Sequence, residues 1–121
     1  MTKRILVLND QENTLGELIE ELAANGYTPF DTTNADECVD SFDEVKPDLL
    51  FLNLKTMGAL DSAQVIRMGS EGATLPIIFV GTGEEGITNT ESAQQRGGTD
   101  YFNLPLEVDQ ILTQVDSLIG P

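Results

Sequence analysis

Short apolar runs and helical stripes alternate five times along this chain. The run Arg4-Ile5-Leu6-Val7-Leu8 is rich in branched side chains, the composition of a parallel strand covered on both faces, and Asn9-Asp10 ends it. Residues 14–24 then place Leu15, Leu18, Ile19 and Leu22 on one helical face, with Glu17, Glu20 and Glu21 opposite. Asn25-Gly26 stops that helix. Residues 27–31 read as a second strand, and Pro29, which has no N–H to donate, confines it to a sheet edge. Thr33 or Asn34 can cap a helix running to about Val45, with Cys38, Val39 and Phe42 facing inward. Lys46-Pro47-Asp48 breaks it, and Leu49-Leu50-Phe51-Leu52 is a wholly apolar third strand ending at Asn53. A loop over 55–60 precedes a helix over 61–68, and 69–75 is loop again. The fourth strand covers 76–80, followed by the polar loop Gly81-Thr82-Gly83-Glu84-Glu85-Gly86. Residues 89–96 form a weak helix with little apolar surface, the expected mobile segment, and Gly97-Gly98 stops it. Residues 100–103 are the fifth strand, Leu104-Pro105 a turn, and 108–119 a helix with Val108, Ile111, Leu112, Val115, Leu118 and Ile119 at helical spacing.

Strand–helix alternation at this spacing implies a parallel sheet with helices on both faces and right-handed crossovers. The first, third and fourth strands are apolar throughout and belong in the centre. The second, with Pro29, and the short mixed fifth belong at the edges. The expected strand order is therefore 2-1-3-4-5, a flavodoxin-like (βα)5 three-layer α/β sandwich, as a single domain over 1–121. In such a sheet the functional crevice lies at the carboxyl ends of the central strands, where strand order reverses. Those ends carry Asn9-Asp10, Asn53, Gly81-Thr82 and Leu104-Pro105.

Charge narrows the chemistry. Six Lys and Arg stand against 21 Asp and Glu, a net charge of -15. Such a domain repels phosphate backbones and anionic membranes, so neither nucleic acid nor membrane is an expected partner of this domain alone. Part of that charge lies on Asp36, Glu37, Asp40, Asp43 and Glu44, which read as the solvated face of the second helix. There is no His, which removes the commonest general base and metal ligand, and a single Cys excludes an intrachain disulfide. Cys38 lies among apolar neighbours without a nearby cation in sequence, so it reads as a structural thiol, and the cysteine usage fits a cytoplasmic protein. No apolar run is long enough to span a membrane. The glycines of 81–86 do not make a phosphate cradle: the Lys and Ser/Thr of a P-loop are missing, and Glu84-Glu85 repels phosphate.

Several motifs, in order and in register, carry a resemblance. Ile5-Leu6-Val7-Leu8-Asn9-Asp10, Gly26-Tyr27, Pro47-Asp48-Leu49-Leu50, Pro76-Ile77-Ile78 and Gly97-Gly98-Thr99-Asp100-Tyr101-Phe102-Asn103-Leu104-Pro105 together resemble the receiver domain of two-component response regulators over essentially the whole chain. The resemblance implies an Asp at the end of the third strand that accepts a phosphoryl group from a His kinase. It also implies an acidic pair after the first strand that holds Mg²⁺, a Ser/Thr after the fourth strand and a Lys after the fifth that contact the phosphoryl oxygens, and a cis bond at Leu104-Pro105. Residue by residue, this chain departs from the pattern. The acceptor position is Asn53, whose amide cannot form an acyl phosphate; the acidic pair is Asn9-Asp10; the hydroxyl position is Gly81, with Thr82 one residue late; the Lys-Pro has become Leu104-Pro105. Only Asp10 survives. Asn53 then reads as a residue that caps a strand end with hydrogen bonds.

The resemblance thus implies a degenerate receiver, or pseudo-receiver. It is expected to be non-enzymatic, without cofactor or resident metal, and to signal by protein–protein contact independently of phosphorylation. Its expected contact surface is the face of the fourth helix, fifth strand and fifth helix, with Tyr101, Asn103 and Leu106, where a weak homodimer would also form. Tyr101 occupies the position of a receiver switch aromatic; the alternative is a half-buried edge-strand ring. Two other functions compete. A flavodoxin-like electron carrier would need a hydroxyl- and glycine-rich loop after the first strand, where Asn9-Asp10-Gln11-Glu12 stands. A receiver phosphorylated elsewhere would use Asp10, Asp48 or Thr82, without the charge stabilisation that phosphoryl transfer requires.

Overall fold

The computed structural model describes residues 2–120; Met1 and Pro121, the ends of the expected 1–121 domain, lie outside the described residues. Five strands, β1 (Arg4–Leu8), β2 (Thr28–Thr32), β3 (Leu49–Asn53), β4 (Ile77–Gly81) and β5 (Asp100–Asn103), form one parallel sheet in the order β2-β1-β3-β4-β5. The helices α1 (Gly16–Ala24), α2 (Ala35–Val45), α3 (Ala59–Met68), α4 (Thr90–Gln95) and α5 (Val108–Ile119) alternate with them. The expected architecture and strand order are those observed, with Pro29 on the edge strand β2, which pairs only with β1.

Alternate side chains of the central strands feed two cores, one on each face. Leu6, Leu50, Leu52, Ile77 and Phe79 pack against Cys38 and Phe42 of α2, Ala63 and Ile66 of α3, and Ala93 of α4. Ile5, Val7, Phe51, Ile78 and Val80 pack against Leu18 and Leu22 of α1 and Ile111 and Val115 of α5. Cys38 is fully buried, and burial pushes its thiol up to about 11, as a structural thiol requires.

Several boundaries shift by one or two residues from the expected ones. α1 begins at Gly16 rather than residue 14, because Asp10 to Thr14 is folded into a hydrogen-bonded turn with Asn13 at φ 61. α3 begins earlier, at Ala59, because Gly58 at φ 83 takes the left-handed cap that starts it. β4 extends through Gly81, which pairs with Asn103 and accepts a hydrogen bond from Leu104 N at 2.8 Å. The weak helix α4 is held in two ways that its apolar pattern did not reveal. Asn89 and Ser92 form a reciprocal capping box, and Ile87, fully buried, pins the segment before it. The Leu104–Pro105 peptide bond is cis.

Candidate functional site at the carboxyl edge of the sheet

The ends of β1, β3 and β4 converge where strand order reverses, and they bring Asn9, Asp10, Asn53 and Gly81 together. Asn9 is almost fully buried. Its side-chain oxygen accepts from Asp10 N at 2.8 Å and Leu15 N at 3.0 Å, and its Nδ2 donates to Asn13 Oδ1 at 2.8 Å. Two backbone donors on one oxygen fix the amide orientation and use Asn9 to shape the loop that enters α1. Asp10 closes the same loop. Oδ1 accepts from Thr14 N at 2.9 Å and Oδ2 from the Thr14 hydroxyl at 2.5 Å.

Asn53 is fully buried and reaches across to Asp10, donating from Nδ2 to Oδ2 at 3.2 Å. Its own oxygen accepts from Lys55 N at 3.0 Å, so the amide cannot flip without facing one N–H with another. Asn53 thus caps its strand end with both halves of its side chain. The Lys55 ammonium lies 3.7 Å from Asp10 Oδ2 and 3.5 Å from the Thr14 hydroxyl. Burial alone would raise the Asp10 carboxyl. The hydrogen bonds from Thr14, the Lys55 charge and the Asn53 amide outweigh that and hold it below its ordinary value.

The loop after β4 is closed in the same manner. Glu85 folds back so that Oε1 accepts from Thr82 N at 2.9 Å and Oε2 from the Thr82 hydroxyl at 2.5 Å. Burial would raise Glu85, but these bonds leave its carboxyl below the usual range. A Cβ at Gly81 would stand 2.5 Å from Glu85 Oε1, the movable end of that side chain, and 3.2 Å from Leu54 Cδ1, so a larger residue would displace the Glu85 carboxylate. Tyr101 lies beneath this loop, only 8% exposed, and its hydroxyl donates to Asn103 Oδ1 at 2.7 Å. Burial first and the Glu85 charge second raise its phenol. Leu104 packs its side chain along the α1/α5 core. Asn103 is exposed and Leu106 half-buried.

Asn9, Asp10 and Asn53 therefore meet at one place beside the end of β4, Leu104 turns into the α1/α5 core, and Tyr101 sits inside the fold rather than on its surface. Two residues of the site, Lys55 and Glu85, had no assigned role in the sequence. Lys55 is two residues past Asn53 and supplies the site's cation from the β3 side, whereas the cation expected by resemblance would follow β5. These residues do not fit a resident Mg²⁺. Asp10 is already bonded and faces an ammonium, Glu85 is folded back on Thr82, Asn9 spends its oxygen on backbone, and Asn53 turns its nitrogen inward. Among the described residues no group of three or more His, Cys, Asp or Glu could hold a metal ion. No helix among them is long and apolar enough to cross a membrane.

A five-stranded parallel sheet in this order, with its crevice bounded by the ends of β1, β3 and β4, is the receiver fold. The chain's relatives and structural neighbours are response regulators and receiver domains. It is 28% identical over 120 residues to the response regulator MprA of Mycobacterium bovis, covering 98% of this chain and 51% of that protein. To the transcriptional regulatory protein YxdJ of Bacillus subtilis it is 28% identical over 116 residues, 96% of this chain and 50% of that protein. The chain spans about half the length of the curated relatives it matches. No protein-family model matches it. Among solved structures it superposes on the chemotaxis response regulator CheY4 of Vibrio cholerae with a TM-score of 0.83 at 16% identity, covering 98% of this chain and 99% of that one. It matches a receiver domain of a Pseudomonas aeruginosa sensor histidine kinase, solved with magnesium in its active-site cleft, with a TM-score of 0.83 at 20% identity and full coverage of both chains.

Proposed function

We propose that this chain is a non-enzymatic, cytoplasmic signalling module of the receiver type that acts by protein–protein contact and does not depend on phosphorylation. The observation that carries this reading is the closed network Thr14–Asp10–Asn53–Lys55. The polar groups that would meet a metal ion or phosphoryl oxygens are bonded to one another. The nucleophile position holds an amide, and the one nearby cation already faces Asp10. The Glu85–Thr82 clasp and the inward Tyr101 extend this internal bonding toward the α4–β5–α5 face. That face then presents a single surface, through exposed Asn103 and half-buried Leu106, to a protein partner or to a second copy bound weakly.

Other acceptors are disfavoured by what they already bond. Asp48 Oδ2 accepts from Arg4 N at 2.8 Å, the Thr82 hydroxyl donates to Glu85, and both Asp10 oxygens are bonded. An electron carrier binding a flavin phosphate after β1 would meet the Asp10 carboxylate there.

The test is intact-mass analysis after incubation with acetyl phosphate and Mg²⁺. The native chain is expected to gain no phosphoryl adduct. The variant Asn9→Asp/Asn53→Asp/Gly81→Thr/Leu104→Lys serves as the labelling comparison. An adduct on the native chain overturns the reading.

A further inference from the structure

On the sheet face away from α1 and α5, α2 and α3 lie side by side with a groove of about 360 Å³ between them. Its floor and walls are Val39 and Phe42 from α2 and Val65 and Ile66 from α3. Val65 is 51% exposed, and Met68, one turn further along the same helix, is 85% exposed. Two apolar side chains so close together on an outer helical face are unusual in a chain whose other helices turn acidic residues outward.

The rim has one sign. Asp43 and Glu71 line the groove, and Asp36 and Asp40 are exposed on α2 nearby. No Lys or Arg is among the described residues that line it. The nearest cation in α3, Arg67, is committed elsewhere, donating to Gly72 O at 2.7 Å and Gly97 O at 2.9 Å. A second copy of this chain, itself at -15, would bring like charge against that rim. A helix fits better than an extended strand, because the groove is walled by two helices and the 69–72 loop and offers no unpaired sheet edge.

We propose that the α2–α3 groove is a docking surface for a basic amphipathic helix of a partner protein, its apolar stripe on Val65, Met68 and the groove floor and its Lys or Arg residues against Asp43 and Glu71. The surface lies apart from the carboxyl edge of the sheet, so it operates whether or not phosphorylation matters there. It goes beyond the α4–β5–α5 contact by adding a second face with a defined chemistry of partner.

The probe is a fluorescein-labelled Leu-Lys-Lys-Leu repeat peptide about three to four helical turns long, with a scrambled peptide of equal composition beside it. Binding is followed by anisotropy and by amide NMR shifts. The shifts are expected to cluster at Val39, Phe42, Val65, Ile66 and Glu71. Val65→Ser/Met68→Ser, both at exposed positions, is expected to weaken binding roughly tenfold. Asp43→Asn/Glu71→Gln is expected to weaken it about threefold and to flatten its salt dependence. Equal binding of the scrambled peptide overturns the proposal, because charge alone would then explain the affinity. So does a shift map on α1 or α5, or affinity unchanged in Val65→Ser/Met68→Ser with circular dichroism confirming the fold.

Discussion

At Asn53 an amide performs a task that a carboxylate in the same place could not. It donates to Asp10 and accepts from Lys55 N at once, so two partly buried polar contacts are satisfied by one buried side chain. Asn53→Asp would turn the 3.2 Å contact with Asp10 into a facing pair of carboxylates, one of which must hold a proton or gain a cation. The expected result is a loss of about 1–3 kcal/mol in urea unfolding at neutral pH, partly recovered by Mg²⁺ that leaves the native chain unaffected. Equal stability of the two proteins, with no Mg²⁺ effect, would contradict the role given to this amide. Gly81→Thr meets a different obstacle, since its Cβ would displace the Glu85 carboxylate and with it the clasp on Thr82. Reversion of single positions therefore dismantles one network before it builds another. The changes at Asn9, Asn53, Gly81 and Leu104 were readable in the sequence because each falls on a fixed place relative to a strand end. Lys55 and Glu85 were not, because the direction in which a loop side chain folds back is set by partners distant in sequence, here Asp10 from another loop, or by a turn with no periodic pattern.

The elements show the same division between pattern and contact. Strand positions followed from apolar runs, and the edge placement of β2 from Pro29. The starts of α1 and α3 moved by two residues where polar side chains or Gly58 took over the cap. α4 is the instructive case. Six residues with one buried apolar side chain, Ala93, read as a poorly anchored segment. The anchor, Ile87, lies outside the helix in the preceding loop and escapes any helical periodicity. The capping box Asn89–Ser92 and the bond from the Thr90 hydroxyl to Asp100 at 2.6 Å add to it. Ile87→Ala should therefore cost about 2–4 kcal/mol, the range for emptying a fully buried site. It should also raise hydrogen exchange across α4 more than across α2. A loss below about 0.5 kcal/mol, the size of a surface substitution, would show that Ile87 does not anchor the segment.

For the whole molecule, two cores on opposite faces of one sheet support a carboxyl edge whose polar groups are closed on themselves. The strand order, and hence the place of that edge, was legible from which runs were apolar throughout. The closure was not, since it depends on bonds between the loops after β1 and β3 that only the fold brings together. A net charge of -15 repels phosphate-bearing partners and favours basic ones. The proposed function requires that this edge not respond to a phosphoryl group. A phosphoryl group could alter the α4–β5–α5 face only by bonding differently to two states of the chain, and the residues that would make those bonds are absent or engaged. The most direct measurement is the amide NMR spectrum of the native chain with Mg²⁺, recorded before and after beryllofluoride, an analogue of the acyl phosphate. The resonances of Asn53, Thr82 and Tyr101 are expected to stay where they are; their coordinated movement, spreading through α4 and β5, would contradict the proposed function.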